Sequence, residues 1–140
     1  YAEAANEVGG PDYTLPGATM SAVQAINKVR ERMLMPGVHT MYLSSKDTFR
    51  QRIKNERAVE LYLEGKRFFD LSRWGDAHKI QHKQLYGVDL IENPGRPTGY
   101  NITRTALPVV TLTFEQKHYK WPIPLSDALM FKEFTQNPGW

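Results

Sequence analysis

The sequence predicts a mainly α chain: a helix pair, a charged central helical region, and one small strand-bearing insertion before a helical C-terminal part. Three observations carry this. Residues 1–8 and 22–33 place apolar side chains at the spacing of one helix face. The stretch from Ser45 to Gly75 holds Phe49, Ile53, Val59, Leu61, Leu63, Phe68, Phe69, Leu71 and Trp74, although thirteen of its thirty-one residues are charged. Only Val110, Leu112 and Phe114 alternate clearly with polar neighbours, the pattern of a half-buried strand.

Tyr1 to Val8 is apolar at 1, 4, 5 and 8 and stops at Gly9-Gly10-Pro11. It has no N-cap of its own, so the expectation is a chain that enters within a longer element. Asp12 to Gly17 is a loop. Thr19 is then placed to cap a helix running to Met35, whose buried stripe is Ala22, Ile26, Val29 and Met33, with Pro36-Gly37 ending it. These two elements read as an antiparallel helix pair, the repeating unit of TPR-like solenoids, though two helices cannot show a period.

The central helix is expected from Ser45 or Lys46 to Glu64, with Asp47 well placed in its first turn. At about 100° per residue, Phe49, Ile53, Glu56, Glu60, Leu63 and Arg67 share one face. Two carboxylates therefore sit inside an apolar stripe, and buried carboxylates need partners. Arg57, Arg67 and Arg73 are the ones within reach along the chain. Glu56, Arg57, Glu60, Glu64, Arg67, Asp70 and Arg73 thus form an expected structural ionic network, with Glu60 nearest its centre. Gly65 is expected to break the helix, a second short one to carry Phe68 to Trp74, and Asp76 to cap a further piece through Ile80.

From His82 to Tyr119 the character changes. Asn93 to Gly99 is turn-rich and reads as a surface loop. The strand at 110–114 needs a partner, either near Leu85 to Ile91 or near Tyr100 to Thr105. Trp121-Pro122-Ile123-Pro124 is extended, Ser126 caps a terminal helix through Phe134, and Gln136 to Trp140 closes the chain. Trp121, Ile123, Pro138 and Trp140 are expected to anchor that end.

Composition excludes several functions. The net charge of +3 is spread along the chain and interleaved with acids, unlike the clustered patch of a nucleic-acid binder. There is no cysteine, no run of about eighteen apolar residues and no visible signal peptide. Glu56, Glu60 and Glu64 are four apart, a spacing within the roughly 5 to 9 Å of a glycosidase pair, but such acids must flank a bond instead of pointing one way. His78 and His82 could share a helix face as in a zinc site, yet position 79 is lysine and no third ligand is in view. Neither a nucleophile elbow nor a phosphate loop is present. Tyr86, Arg96 and Tyr100 sit in or beside the loop region and are the candidates for ligand contact, because aromatic faces stack on sugars and loops carry sites.

Four stretches resemble, in order, the C-terminal signature of the SusD/RagB family. They are Tyr1-Ala2-Glu3-Ala4 with Asn6-Glu7; Ala25-Ile26-Asn27-Lys28-Val29-Arg30; Glu56-Arg57, Glu60-Leu61, Glu64-Gly65, Arg67 to Leu71 and Arg73-Trp74-Gly75; and Trp121 to Pro124 with Gln136 to Trp140. The family's chains are several times longer. The resemblance thus implies that residues 1–140 are the C-terminal part of a single SusD/RagB-like domain, with TPR-like helix pairs and without the N-terminal portion. One departure lies after Pro-Ile-Pro, where Asp127 precedes Ala128-Leu129 and Phe131-Lys132 replace the family's asparagine.

The resemblance also implies a function: binding a glycan or other large nutrient at the extracellular face of the outer membrane, and delivery to a SusC-like TonB-dependent transporter. It implies no catalysis, cofactor or metal, and membrane contact through an N-terminal lipid anchor outside this chain. The alternatives are a TPR-like protein-interaction scaffold and a glycan-active enzyme. By the same reasoning the stretch 1–140 alone is expected to fold with weak cooperativity, because its first helix should pack on upstream helices.

Overall fold

The computed structural model describes residues 1–130 and 133–140. The Phe131-Lys132 departure and the middle of the helix expected over 126–134 therefore lie outside the described residues. The chain forms two units, Tyr1–Arg67 and Phe68–Trp140.

The first unit is built from α1 (Ala2–Gly9), α2 (Ala22–Glu31) and α3 (Lys46–Glu60), with a single 3₁₀ turn, Thr40–Leu43, leading into α3. Each longer helix opens on a serine. Ser21, not Thr19, caps α2: its hydroxyl accepts from the Gln24 N–H at 3.4 Å, and the Gln24 side chain accepts from the Ser21 N–H at 2.8 Å. Ser45 caps α3 by accepting from the Thr48 N–H at 3.1 Å. The apolar core is Ala2, Ala5, Ala22, Ile26, Val38, Phe49 and Ile53, with Phe49 and Asn6 completely enclosed. Burying the phenyl ring of Phe49 contributes roughly 2–3 kcal/mol. Small residues on α1 and at the start of α2 let the helices approach closely around it.

α1 is fastened to the start of α3 by polar contacts. The Asn6 amide donates to the Lys46 carbonyl at 3.0 Å, and the Lys46 ammonium donates to the Glu7 carbonyl. Arg50 forks onto Glu7, with Nε to Oε1 at 2.5 Å and Nη2 to Oε2 at 2.7 Å, and also reaches Asp47. The Arg50 hydrogen bond holds the Glu7 carboxyl below the ordinary glutamate value, against a smaller opposing contribution from burial.

The acid at the centre of the unit is Glu56, and its partners differ from the sequence expectation. Arg30 of α2 donates to Glu56 Oε2 at 2.7 Å, and Arg52, one turn earlier on α3, donates to the same oxygen at 2.7 Å. The Arg30 and Glu56 side chains are only 9% and 10% exposed. Arg30 also donates from Nε to the Pro36 carbonyl at 2.8 Å, which ties the loop after α2 into the same knot. Glu60, expected to be the most enclosed acid, is exposed and pairs with an exposed Arg32. The physical reason is where α3 stops. It ends at Glu60, not Glu64, and Leu63 adopts φ 68°, outside the helix region. Leu63, Glu64 and Arg67 consequently leave the buried stripe and are exposed.

α2 also ends early, at Glu31. The Met35 N–H donates to the Arg30 carbonyl and the Leu34 N–H to the Glu31 carbonyl, a Schellman closure with Leu34 at φ 55°. A left-handed leucine costs about 1–2 kcal/mol, so this turn holds local strain. Met33, placed in the stripe by periodicity, falls beyond the helix and is exposed, and Val29, within α2, is exposed as well.

The second unit contains α4, whose first residue closes the first unit (Arg67–Arg73), α5 (Ile80–Lys83), β1 (Gln84–Leu85), β2 (Val88–Glu92), β3 (Tyr100–Arg104), β4 (Val110–Thr111), a second 3₁₀ turn (Gln116–Tyr119) and α6 (Leu125–Met130). Asp76 opens a turn instead of a helix, accepting the Lys79 N–H on its carbonyl and the Lys79 ammonium on its side chain. β2 and β3 form an antiparallel hairpin from Val88↔Arg104 to Glu92↔Tyr100 around the expected turn-rich loop. β4 pairs antiparallel with β1, so the strand at 110–114 finds its partner at Leu85 but is only two residues long. Ser126 lies inside α6, not at its cap; the Pro124 carbonyl accepts from the Asp127 and Ala128 N–H groups. Among the described residues no helix is long and apolar enough to cross a membrane.

Two outcomes are expected. Glu56→Ala strands Arg30 in a nearly closed site and lowers unfolding free energy by about 3–5 kcal/mol, whereas Glu60→Ala costs at most about 1 kcal/mol; urea unfolding of the two variants measures the difference. The Glu7 contribution is a depressed-pKa case, so it is complete above the ordinary glutamate value of 4.5 and disappears as pH falls through the lowered folded value. Because Glu7 is 42% exposed its worth is no more than about 1 kcal/mol. Glu7→Gln should lower stability near neutral pH by that amount and leave it unchanged well below pH 4.5; a pH series of melting curves reads this directly.

Candidate functional site

The second unit carries a cleft whose walls come from α4's end and from the last thirty residues. α4 closes with a second Schellman turn, in which Asp76 N–H donates to the Leu71 carbonyl and Gly75 N–H to the Ser72 carbonyl. Gly75 takes φ 67°, a conformation that favours glycine, and a Cβ there would meet open space. The tight turn brings Arg73, Trp74 and His78 to one rim. Arg73 lies over the Trp74 ring at 5.1 Å and 3.6 Å from Asp70, whose side chain is buried.

The opposite wall is the 3₁₀ turn Gln116–Tyr119. It is positioned by a chain of edge-to-face rings that links Phe69, Phe68 and Phe114, then branches to Tyr119 and His78 and to His118 and Trp140. The Tyr119 hydroxyl accepts from the His78 backbone N–H at 3.1 Å and shares a hydrogen bond with His78 Nδ1 at 2.7 Å. His118 Nδ1 accepts from the Glu115 N–H at 2.8 Å, so that ring carries its proton on Nε2 when neutral.

The chain end holds this wall in place through hydrogen bonds. Trp140 Nε1 donates to the Lys117 and Lys120 carbonyls at 3.0 and 2.9 Å. Gln136 makes a reciprocal pair with Ile123, accepting its N–H at 2.8 Å and donating to its carbonyl at 2.9 Å, and the Asn137 amide donates to the Trp121 carbonyl at 2.6 Å. Trp140 thus anchors as expected. Trp121 does not: it is 78% exposed, and the amides of Gln136 and Asn137 do the fastening.

The resulting cleft has a volume of about 630 Å³, within the roughly 300–1,000 Å³ of small-ligand sites. Arg73, Lys117 and Lys120 supply cations, Trp74 and Tyr119 supply aromatic surface, and His78 and Gln116 supply hydrogen-bonding groups. Ser72 Oγ, buried in the wall, has no hydrogen-bond partner among the described residues. No carboxylate is among the described lining residues; Glu115 stands behind Lys117 at 3.6 Å.

The three ligand candidates read from sequence do not line this cleft: Arg96 and Tyr100 share the tip of the hairpin, and Tyr86 lies at its base. Arg96 is in the exposed loop beyond the hairpin, and Tyr100 faces Glu92 at the tip of the ladder. Tyr86 lies at the hairpin's base, with Arg104 over its ring at 3.8 Å and its hydroxyl donating to Gln84. Five ladder positions, about 14 Å along the strands, separate the two ends. His78 precedes α5, so it shares no helix face with His82, and no group of three or more ligating side chains that could hold a metal occurs among the described residues. Sequence reasoning missed Gln116, Lys117, Tyr119 and Lys120. The one available signal was the interleaving of basic and ring-bearing residues in Lys117-His118-Tyr119-Lys120.

The SusD family model matches residues 1–140 in full. The chain belongs to the SusD family. Among solved structures, a SusD-like protein from Bacteroides fragilis is 28% identical with a TM-score of 0.69, covering 99% of this chain and 23% of its own. A protein designated BT4246 is 26% identical with a TM-score of 0.73, covering 99% and 22%. Its selenomethionine form is 25% identical with a TM-score of 0.71 over the same shares. No curated protein matches the sequence. The chain spans under a quarter of the length of these solved SusD relatives, and the stretches that carry the family signature, Arg73-Trp74-Gly75 and Gln136 to Trp140, contribute residues to both walls of the cleft.

Gln136→Ala should release the strap. The Ile123 amide then loses its acceptor and its hydrogen exchange accelerates by roughly tenfold or more, with a stability loss of about 1–3 kcal/mol. Native-state exchange measured at Ile123 and, as a control, at Ile53 in the first unit checks this.

Proposed function

We propose that the protein carrying this chain captures a glycan or other large nutrient at the outer face of a bacterial outer membrane and passes it to a SusC-like TonB-dependent transporter without breaking a bond. In this reading residues 1–140 form the C-terminal part of one SusD-like domain, the helices of the first unit belong to a TPR-like array, and an N-terminal lipid anchor outside this chain makes the membrane contact. The observation that carries the proposal is the family match along all 140 residues. The cleft is compatible with it: an open site with aromatic surface and hydrogen-bonding side chains suits a saccharide.

The acids of α3 support binding over hydrolysis. Glu56 is closed in by two arginines and Glu60 is paired with a third, so both carboxylates are engaged in ion pairs within the fold instead of facing a scissile bond from two sides.

The test uses the full-length protein. Solubilised from native membranes with mild detergent, it should retain a TonB-dependent barrel as partner, and it should retard in gels containing its glycan while releasing no product. Recovery without any barrel, combined with release from membranes by salt alone, would replace the transporter reading with that of a scaffold.

A further inference from the structure

We propose that the cleft between α4's end and the Gln116–Tyr119 turn is a binding site for an acidic saccharide, a sugar unit bearing a carboxylate or a sulfate group. This rests on the nutrient-binding reading above and names the ligand class.

The charge balance at the site motivates it. Arg73, Lys117 and Lys120 converge on one cleft, and no carboxylate is among the described residues lining it. A neutral glycan can take hydrogen bonds from cationic N–H groups but neutralises none of their charge. Grouped cations at the mouth of a concave site concentrate the field toward an anion. Asp70 is buried at 3.6 Å from Arg73, and Glu115 stands 3.6 Å from Lys117, while Lys120 adds a further positive charge.

Arg73 is suited to the anionic group itself. Its side chain is 51% exposed and its guanidinium lies over the Trp74 ring, and a planar guanidinium is the group that meets a carboxylate or sulfate with two parallel hydrogen bonds. Trp74 and Tyr119 offer apolar faces for the sugar ring. His78, its Nδ1 committed to the Tyr119 hydroxyl, keeps Nε2 for a hydrogen bond to a sugar hydroxyl. Stacking surface, a hydroxyl-reading group and a fork for an anion are together what an acidic sugar presents in complement.

The cleft is also preorganised. The Arg73 wall is closed by a Schellman turn, and the lysine wall is fixed by Trp140 Nε1 across the Lys117 and Lys120 carbonyls. Side chains mounted on such supports lose less freedom on binding.

The experiment is calorimetric titration of the full-length protein with three oligosaccharide probes: oligogalacturonate, which carries carboxylates only; a sulfated galactan fragment, which carries sulfates only; and a neutral galactan fragment. Each is titrated against the native protein, the Lys117→Gln/Lys120→Gln double variant and an Arg96→Ala/Tyr100→Ala control, with unchanged melting temperatures confirming that the variants are folded. The expected result is that one acidic probe binds, with salt-dependent affinity; the double variant weakens it by about tenfold or more, and the hairpin control leaves it unchanged. Which acidic probe binds identifies carboxylate or sulfate as the recognised group. Equal binding of the neutral probe, or acidic binding indifferent to the lysine variants, overturns the acidic-site proposal while leaving nutrient capture standing. If none of the probes binds, and a broad panel of neutral and acidic glycans also gives no heat, nutrient capture fails together with it.

Discussion

The first unit depends on a charge that has been taken out of water. Glu56 sits among Phe49, Ile53 and Ile26, where an unpaired carboxylate would not remain ionised without a large penalty. Two guanidinium groups on one oxygen answer that penalty, and each brings a different piece of structure. Arg52 comes from the same helix. Arg30 comes from α2 and, through its Nε, also holds the Pro36 carbonyl. A buried pair of this kind is no more stable than a well-packed apolar contact would be, but it is far less tolerant of alternatives. The Arg30–Glu56 pair joins α2 to α3 at one point along each helix.

The second unit solves a different problem. It has two short antiparallel ladders, and among its described residues only Asp70, Asp76 and Ala77 are buried, so a conventional apolar interior cannot order it. Aromatic edges and hydrogen bonds take that role. The rings from Phe69 to Trp140 connect segments up to seventy residues apart in sequence, and the chain end is tied by the amides of Gln136 and Asn137. Directional contacts of this sort hold geometry well while leaving much of the surface wet. That combination is what an open cleft requires.

The proposed acidic-saccharide site would draw on the same construction. Its cations are on short turns at the edges of the aromatic relay, and the turns are closed by backbone bonds independent of any ligand. The placement explains why the site was hard to foresee. Tyr86, Arg96 and Tyr100 drew attention because loops so often bind ligands, but a hairpin keeps its tip and its base apart. Lys117 and Lys120 meet Arg73 only because the chain returns after forty-four residues.

What the sequence determined by itself is local or compositional. The starts of α2 and α3 were legible to within two residues, because a hydroxyl-bearing cap satisfies backbone donors a few positions away. The extended Trp121-Pro122-Ile123-Pro124 segment and the turn at Asn93 to Gly99 were legible because proline and glycine restrict or free the backbone at their own position. That an acid lies in the apolar stripe of α3 was also readable, from periodicity alone. Tertiary structure decided the rest. Periodicity carried α2 to Met35 and α3 to Glu64, but both helices end sooner, and Leu34 and Leu63 just beyond their ends turn left-handed with exposed side chains. It also chose which acid is buried and which arginines answer it. Arg30 and Glu56 are twenty-six residues apart, and no spacing rule reaches that far; the partner of a buried charge is set by which helix packs beside it.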